Sequence, residues 1–251
     1  MNDGFAALHG GSSFDHPISM AFQPIVNVRT GKLYAQEALV RGLDGESAAT
    51  VLATVTPDNR NAFNQACRLC AIDLAHHRNI VDGDTLLSIN LMPNAMDDLS
   101  SCMRETVTAS ERAGLAPERI IFEFTETEQV ETSQMVAILQ AHRDTGFLTA
   151  VDDFGAGLSG LLLLTQVQPD IVKIDMGLIR GIDTDKTKQI TLRHIASLLN
   201  DLGVITVCEG VETQAELEVI RSFGIDLIQG YLIARPSFGL LNCPNLNDFV
   251  A

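Results

Sequence analysis

The chain has 251 residues, 46% of them apolar and 20% charged, so it can bury a substantial core and is not a disordered segment. Lys and Arg number 17 against 32 Asp and Glu, a formal charge of −15. That balance disfavours nucleic acid polymers and anionic membrane surfaces, and admits a small phosphate-bearing ligand only where bound cations reverse the local field.

Residues 1–17, Gly- and Ser-bearing and ending at His16-Pro17, read as a loose lead-in, with 18–251 as one domain. Strands are predicted near Met20–Val28 and Leu33–Val40; "VRTGK" between them is too short for a helical crossover, so the pair is expected to be an antiparallel hairpin. A helix is expected around Asn61–Asn79, a strand at Leu86–Leu91, a helix at Asp97–Ala113 and a strand at Ile120–Thr125. A helix at Ser133–Thr145 precedes strands at Leu148–Asp152 and Ile171–Asp175. The pattern closes with a helix at Lys186–Asp201, a strand at Ile205–Glu209, a helix at Gln214–Phe223 and a strand at Leu227–Ile233. "AGLAP", "DTGF", "DLGV" and "SFGI" each place a glycine where a helix stops. About eight strands with helical crossovers imply an α/β fold, a modified (β/α)8 TIM-like barrel with an antiparallel strand pair at the start; a doubly wound open sheet is the alternative.

Five cysteines without regular spacing argue against a disulfide framework and for a reducing compartment. Cys67 and Cys70 form a CxxC inside a helical pattern, without a second pair or a nearby His, and read as small core residues. The six histidines are scattered and outline no zinc site. The longest aliphatic run, Leu161–Leu164, is too short to span a bilayer, and the amino terminus lacks a signal-peptide layout, so a cytoplasmic location is expected.

In such barrels the C-terminal ends of the strands form the open mouth. Glu37 falls in the second strand, Asn90 closes the third, and Glu123 and Glu126 close the fourth. Asp152 and Asp153 finish the fifth, Lys173 and Asp175 lie in the sixth, Glu209 and Glu212 end the seventh, and Gln229 interrupts the last. Any one of these suits a solvated strand end. Glu123, however, shares parity with Ile121, and Lys173 with Ile171, so charges are expected to point inward. Buried charges need partners or metal. Carboxylates with an amide and no imidazole suit hard cations such as Mg²⁺ or Mn²⁺, and their number suggests two ions. Two such ions activate a water between them and clamp a phosphoryl group, while Lys173 steadies the developing charge.

"EALVR", "SINL", "FEFTE", "VDDFGAG", "VKID", "CEGVE" and "QGYLIARP", in this order between Phe22 and Pro236, resemble the EAL family of bacterial cyclic di-GMP phosphodiesterases. The resemblance implies a modified (β/α)8 barrel that hydrolyses one phosphodiester bond of cyclic di-GMP to linear pGpG with Mg²⁺ or Mn²⁺. It implies that Glu37, Asn90, Glu123 and Asp152 hold one metal and that Asp152 and Asp153 engage the second. Lys173 would contact the attacking water, and Glu209 would be a ligand or the general base. Glu126 and Glu212 would orient the loop after the Asp doublet and the metal shell. Gln23, Arg41, Asp175 and Gln229 would contact nucleotide.

Two departures stand out: Gly42 replaces the family's usual bulky aromatic after the arginine, and "GAGLSGLLLL" lacks an aromatic and a second serine. Family members often pair through the helices and loop beside the Asp doublet, so a homodimer is one expectation. A chain without room for a fused sensor domain would take its regulation from self-association or a partner protein. The alternatives are a catalytically silent cyclic di-GMP receptor, a protein-interaction module, and a Mg²⁺-dependent barrel enzyme in which Lys173 is a base.

Overall fold

The computed structural model describes residues 14–96, 99–125, 131–157, 160–166, 168–246 and 249. The chain opens with strands β1 (Ile18–Asn27) and β2 (Lys32–Gly42), paired antiparallel along their whole length with one irregularity at Ile25/Val26. Helices α1 (Ala48–Leu52) and α2 (Arg60–His77) lead to β3 (Leu86–Asn90), and α3 (Leu99–Ala113) leads to β4 (Ile120–Thr125). The alternation continues with α4 (Thr132–Thr145), β5 (Leu148–Phe154), α5 (Gly160–Gln166) and β6 (Ile171–Ile174). It ends with α6 (Met176–Ile179), α7 (Lys186–Asp201), β7 (Ile205–Cys208), α8 (Gln214–Ser222), β8 (Leu227–Ile228) and β9 (Ser237–Phe238).

Strands β2 to β8 are parallel neighbours in sequence order, and β1 closes the ring by pairing antiparallel with both β8 and β2. The result is a closed barrel of eight strands with one strand reversed; β9 pairs with β1 outside the ring. Closure excludes the open doubly wound sheet. Helix ends follow the glycine signals: Gly114, Gly146, Gly203 and Gly224 all have φ between 64° and 91°, where a side chain would be strained.

The strands carry two apolar surfaces. Outward residues such as Phe122, Phe124, Val151, Val172 and Ile174 are buried under the helices. Phe122 meets Phe147 edge to face at 5.1 Å, and burying such a ring contributes roughly 1.5–3 kcal/mol. Inward residues Ile25, Ala35, Ile121, Ala150, Ile171, Val207 and Leu227 form the floor of the barrel. Because strand side chains alternate, the inward position two residues nearer the mouth is set by the floor. Those positions are Gln23, Glu37, Glu123, Asp152, Lys173, Glu209 and Gln229, and Ser88 stands likewise above Leu86. β1 runs backwards, so there the mouth residue precedes its floor residue.

Candidate active site

Lys173 is the centre of the polar layer. Its side chain is 1% exposed, and Nζ lies 2.6 Å from Glu209 Oε1, 2.8 Å from Glu123 Oε2, 3.2 Å from Asp152 Oδ1 and 3.3 Å from Glu37 Oε2. Burial works against its charge, but Asp152, Glu123, Glu209 and Glu37 outweigh that and hold the ammonium well above its usual pKa. So surrounded, the Lys173 ammonium can donate hydrogen bonds and stabilise anionic charge.

The carboxylates are fixed in turn. Glu37 accepts from Gln229 Nε2 at 2.7 Å and from Asn90 Nδ2 at 3.0 Å. Burial opposes its ionisation, yet Lys173 and these two amides hold its pKa below the ordinary value. Glu123 accepts from Ser88 Oγ as well as Lys173. Its burial dominates, Glu37 and Asp152 add repulsion that Lys173 only partly offsets, and its pKa is pushed up to about 8. Glu209 is likewise raised by burial, against the pull of Lys173.

The Asp doublet ends β5 in an uncommon way. Asp153 has φ of 54°, and the pairing of β5 with β6 slips between Val151 and Phe154. Strict alternation would send Asp153 away from Asp152; the left-handed residue interrupts it, at a cost of about 1 kcal/mol. Carboxylate oxygens of Asp152, Asp153 and Glu209 consequently lie within 4.8 Å of one another, as do those of Glu37, Glu123 and Asp152. Burial and the neighbouring Asp152 push Asp153 up to about 6.

These residues fit hard divalent cations. The donors are all oxygens, two triads share Asp152, and Asp152 Oδ1 is buried without a hydrogen bond because its 3.2 Å approach to Lys173 lacks hydrogen-bond geometry. Five carboxyl groups crowd the mouth and four of them contact its one ammonium, and the raised pKa values of Glu123, Asp153 and Glu209 express how unfavourable so many negative charges are there without counterions.

Other residues read from the sequence stand around this centre. Gln23 is at the mouth and donates to Ala234 O at 3.2 Å. Arg41 donates to its neighbour's carbonyl, Val40 O, at 2.7 Å. Asp175 caps α6 by accepting from Gly177 N at 2.8 Å. Glu212 pairs with Arg180 rather than with the acidic cluster. Glu126 lies outside the described residues. Two supporting groups were not among the sequence candidates. Ser88 is an inward residue of β3 that parity with Leu86 could have revealed. Glu216 receives the backbone N–H groups of Gly181 at 2.9 Å and of Glu212 and Thr213 at 3.0 Å each, and its "TQAE" capping box is legible as a motif.

The fold and the site define an acid-mouthed (β/α)8 barrel with a buried lysine among carboxylates. The sequence pattern of the EAL domain matches residues 15–236. A standalone versatile EAL protein from Vibrio cholerae O395, in its c-di-GMP-bound form, is 43% identical over 95% of this chain and 100% of that one, with a TM-score of 0.90. BlrP1 of Klebsiella pneumoniae, in a manganese and cyclic di-GMP complex, is 34% identical over 92% of this chain and 59% of that one, with a TM-score of 0.85. The cyclic di-GMP phosphodiesterase NbdA of Pseudomonas aeruginosa is 30% identical over 88% of this chain and 29% of its own length. This chain belongs to the EAL domain family. It spans about half the length, or less, of the curated relatives it matches. Among the described residues no helix is long and apolar enough to cross a membrane.

Proposed function

We propose that this chain is a divalent-metal-dependent phosphodiesterase that hydrolyses cyclic di-GMP to linear pGpG. One observation carries the reading: a lysine held at the mouth of the barrel among four carboxylates, all of which belong to two oxygen triads that share Asp152, the second completed by Asp153. The family and its relatives' names support the substrate class.

Two Mg²⁺ or Mn²⁺ ions would supply Lewis acidity to the phosphoryl oxygens and lower the pKa of the attacking water. Glu37, Asn90, Glu123 and Asp152 would hold one, and Asp152 with Asp153 the second. In the reaction, a water oxygen bonds to phosphorus in line with the breaking P–O3′ bond, leaving a 5′-phosphate and a free 3′-hydroxyl. Glu209 would accept the water's proton or complete the ligand shell, and Lys173 donates toward the attacking oxygen and the charge gathering on phosphorus. Gln23, Arg41, Asp175 and Gln229 would bind the nucleotide, Arg41 being suited to a phosphate. Glu212, through Arg180 and the α6 segment, and Glu126 would orient the surrounding loops. Residues 1–17 are read as a lead-in to a single barrel domain from 18 onward. A cytoplasmic location, a homodimer and a regulatory partner protein complete the proposal.

Incubating the protein with cyclic di-GMP and Mn²⁺ and resolving the products by chromatography tests it, with pGpG expected. Ca²⁺, too large for the same coordination geometry, should inhibit. Tight binding without product would overturn hydrolysis and favour a receptor.

A further inference from the structure

A charge lies on the inner side of helix α2, where an amphipathic pattern places none. Asn64, Arg68, Ala71 and Ala75 follow the i, i+4, i+7, i+11 spacing of a face turned to the core, and all four are buried. Arg68 is 2% exposed, and its Nε and Nη1 are buried without a hydrogen-bond partner. Among the described residues it forms no ion pair either.

Its neighbours in the same layer are provided for. Asn64, one turn earlier, accepts from Met92 N at 3.2 Å and donates to Met92 O at 3.3 Å. Arg119 spends its Nη2 group on the carbonyls of Ile80 and Thr85, at 2.7 and 2.6 Å. On α3, which packs beside α2, Thr106 Oγ1 donates to Cys102 O at 2.8 Å and Ser110 Oγ to Val107 O at 2.9 Å, both within their own helix. His142 of α4 registers the charge of Arg68 and is repelled by it: burial lowers the pKa of this imidazole, and Arg68 lowers it further.

A buried lysine or carboxylate can escape such a position by changing its protonation state, but a guanidinium cannot. Water would satisfy its N–H groups and leave its charge uncancelled, and an uncompensated charge in a protein interior costs a sizeable part of a domain's stability. The remedy is a counterion, and at 2% exposure the ion has to be small. We propose that Arg68 holds a small inorganic anion of the chloride class beneath α2, at a site separate from the mouth and its cations.

Urea unfolding of the metal-free protein in chloride or in gluconate, at one ionic strength, tests this. Gluconate is too bulky to enter, and equal ionic strength keeps screening constant. At about ten times its dissociation constant chloride should raise the folded-to-unfolded ratio at fixed urea about tenfold, with a saturating dependence. Arg68→Met, similar in length and uncharged, should lose that dependence, its ratios in the two salts agreeing within about twofold. The parent also supplies a local readout that needs no variant. An anion beside Arg68 offsets the repulsion felt by His142, so by NMR the imidazole should titrate at higher pH in chloride than in gluconate. Equal parent stability in the two salts, a chloride effect that Arg68→Met shares, or identical His142 titrations would each overturn the site.

Discussion

Lys173 gathers four carboxylates that would otherwise repel one another in a buried space, so its removal has two separable consequences. Lys173→Ala and Glu37→Ala should each abolish turnover. Without divalent cations Lys173→Ala should also lower unfolding stability by about 3 kcal/mol, read from denaturant midpoints, because unpaired buried charges remain. A variant that turned over normally would refute the assigned roles. A second residue acts away from the mouth. His142 is 1% exposed, packed against Phe122 and bonded through Nδ1 to Ile138 O at 2.7 Å. Burial, with a smaller repulsion from Arg68, lowers its pKa from 6.5 to about 4. The unfolded histidine takes up a proton below pH 6.5 and the folded one resists until about 4. The stabilisation is therefore full above pH 6.5 and is lost as pH falls through that window, up to about 3 kcal/mol. Denaturant midpoints at pH 7.5 and 5 should diverge for the parent and converge for His142→Phe.

Elements show where local pattern misleads. The alternation in "LIQGYLI" predicts a strand to Ile233, yet β8 ends at Ile228 and a helical turn follows, with Ile233 N and Ala234 N both bonding Gly230 O. The reason lies in a neighbour: a Cβ on Gly230 would sit 2.0 Å from Val211 O and 2.4 Å from Val211 N, so this glycine lets two backbones touch. Gly230→Ala should cost about 3 kcal/mol in thermal or denaturant unfolding, since backbone cannot step aside. Thr213→Ala should cost only about 1 kcal/mol, the worth of a helix cap. Long periodic elements were legible: α7 has the predicted bounds, Lys186–Asp201, and β4 the predicted Ile120–Thr125. The short helices α1, α5 and α6 were not, because five, seven and four residues carry too little periodicity to stand out.

At the scale of the whole molecule, the acidic mouth sits on a barrel already carrying −15. Folding concentrates that charge, and ions that bind only the folded mouth must stabilise it. At about a hundred times its dissociation constant Mn²⁺ should add roughly 2.7 kcal/mol, seen as a rise in melting temperature. The rise should vanish in Asp152→Asn, because Asp152 belongs to both carboxylate triads. An unchanged melting temperature across all Mn²⁺ concentrations in the parent would contradict a metal site.

The amino-acid order alone determined the barrel, its reversed first strand and the inward direction of the charges, because crossover length and strand parity are local properties read along the chain. Only tertiary structure decided that Lys173 reaches four carboxylates from four other strands and that a left-handed Asp153 brings both aspartates to the mouth. Those facts depend on the closure and stagger of strands far apart in sequence, and on a backbone kink whose cost is sustained by the packing around it.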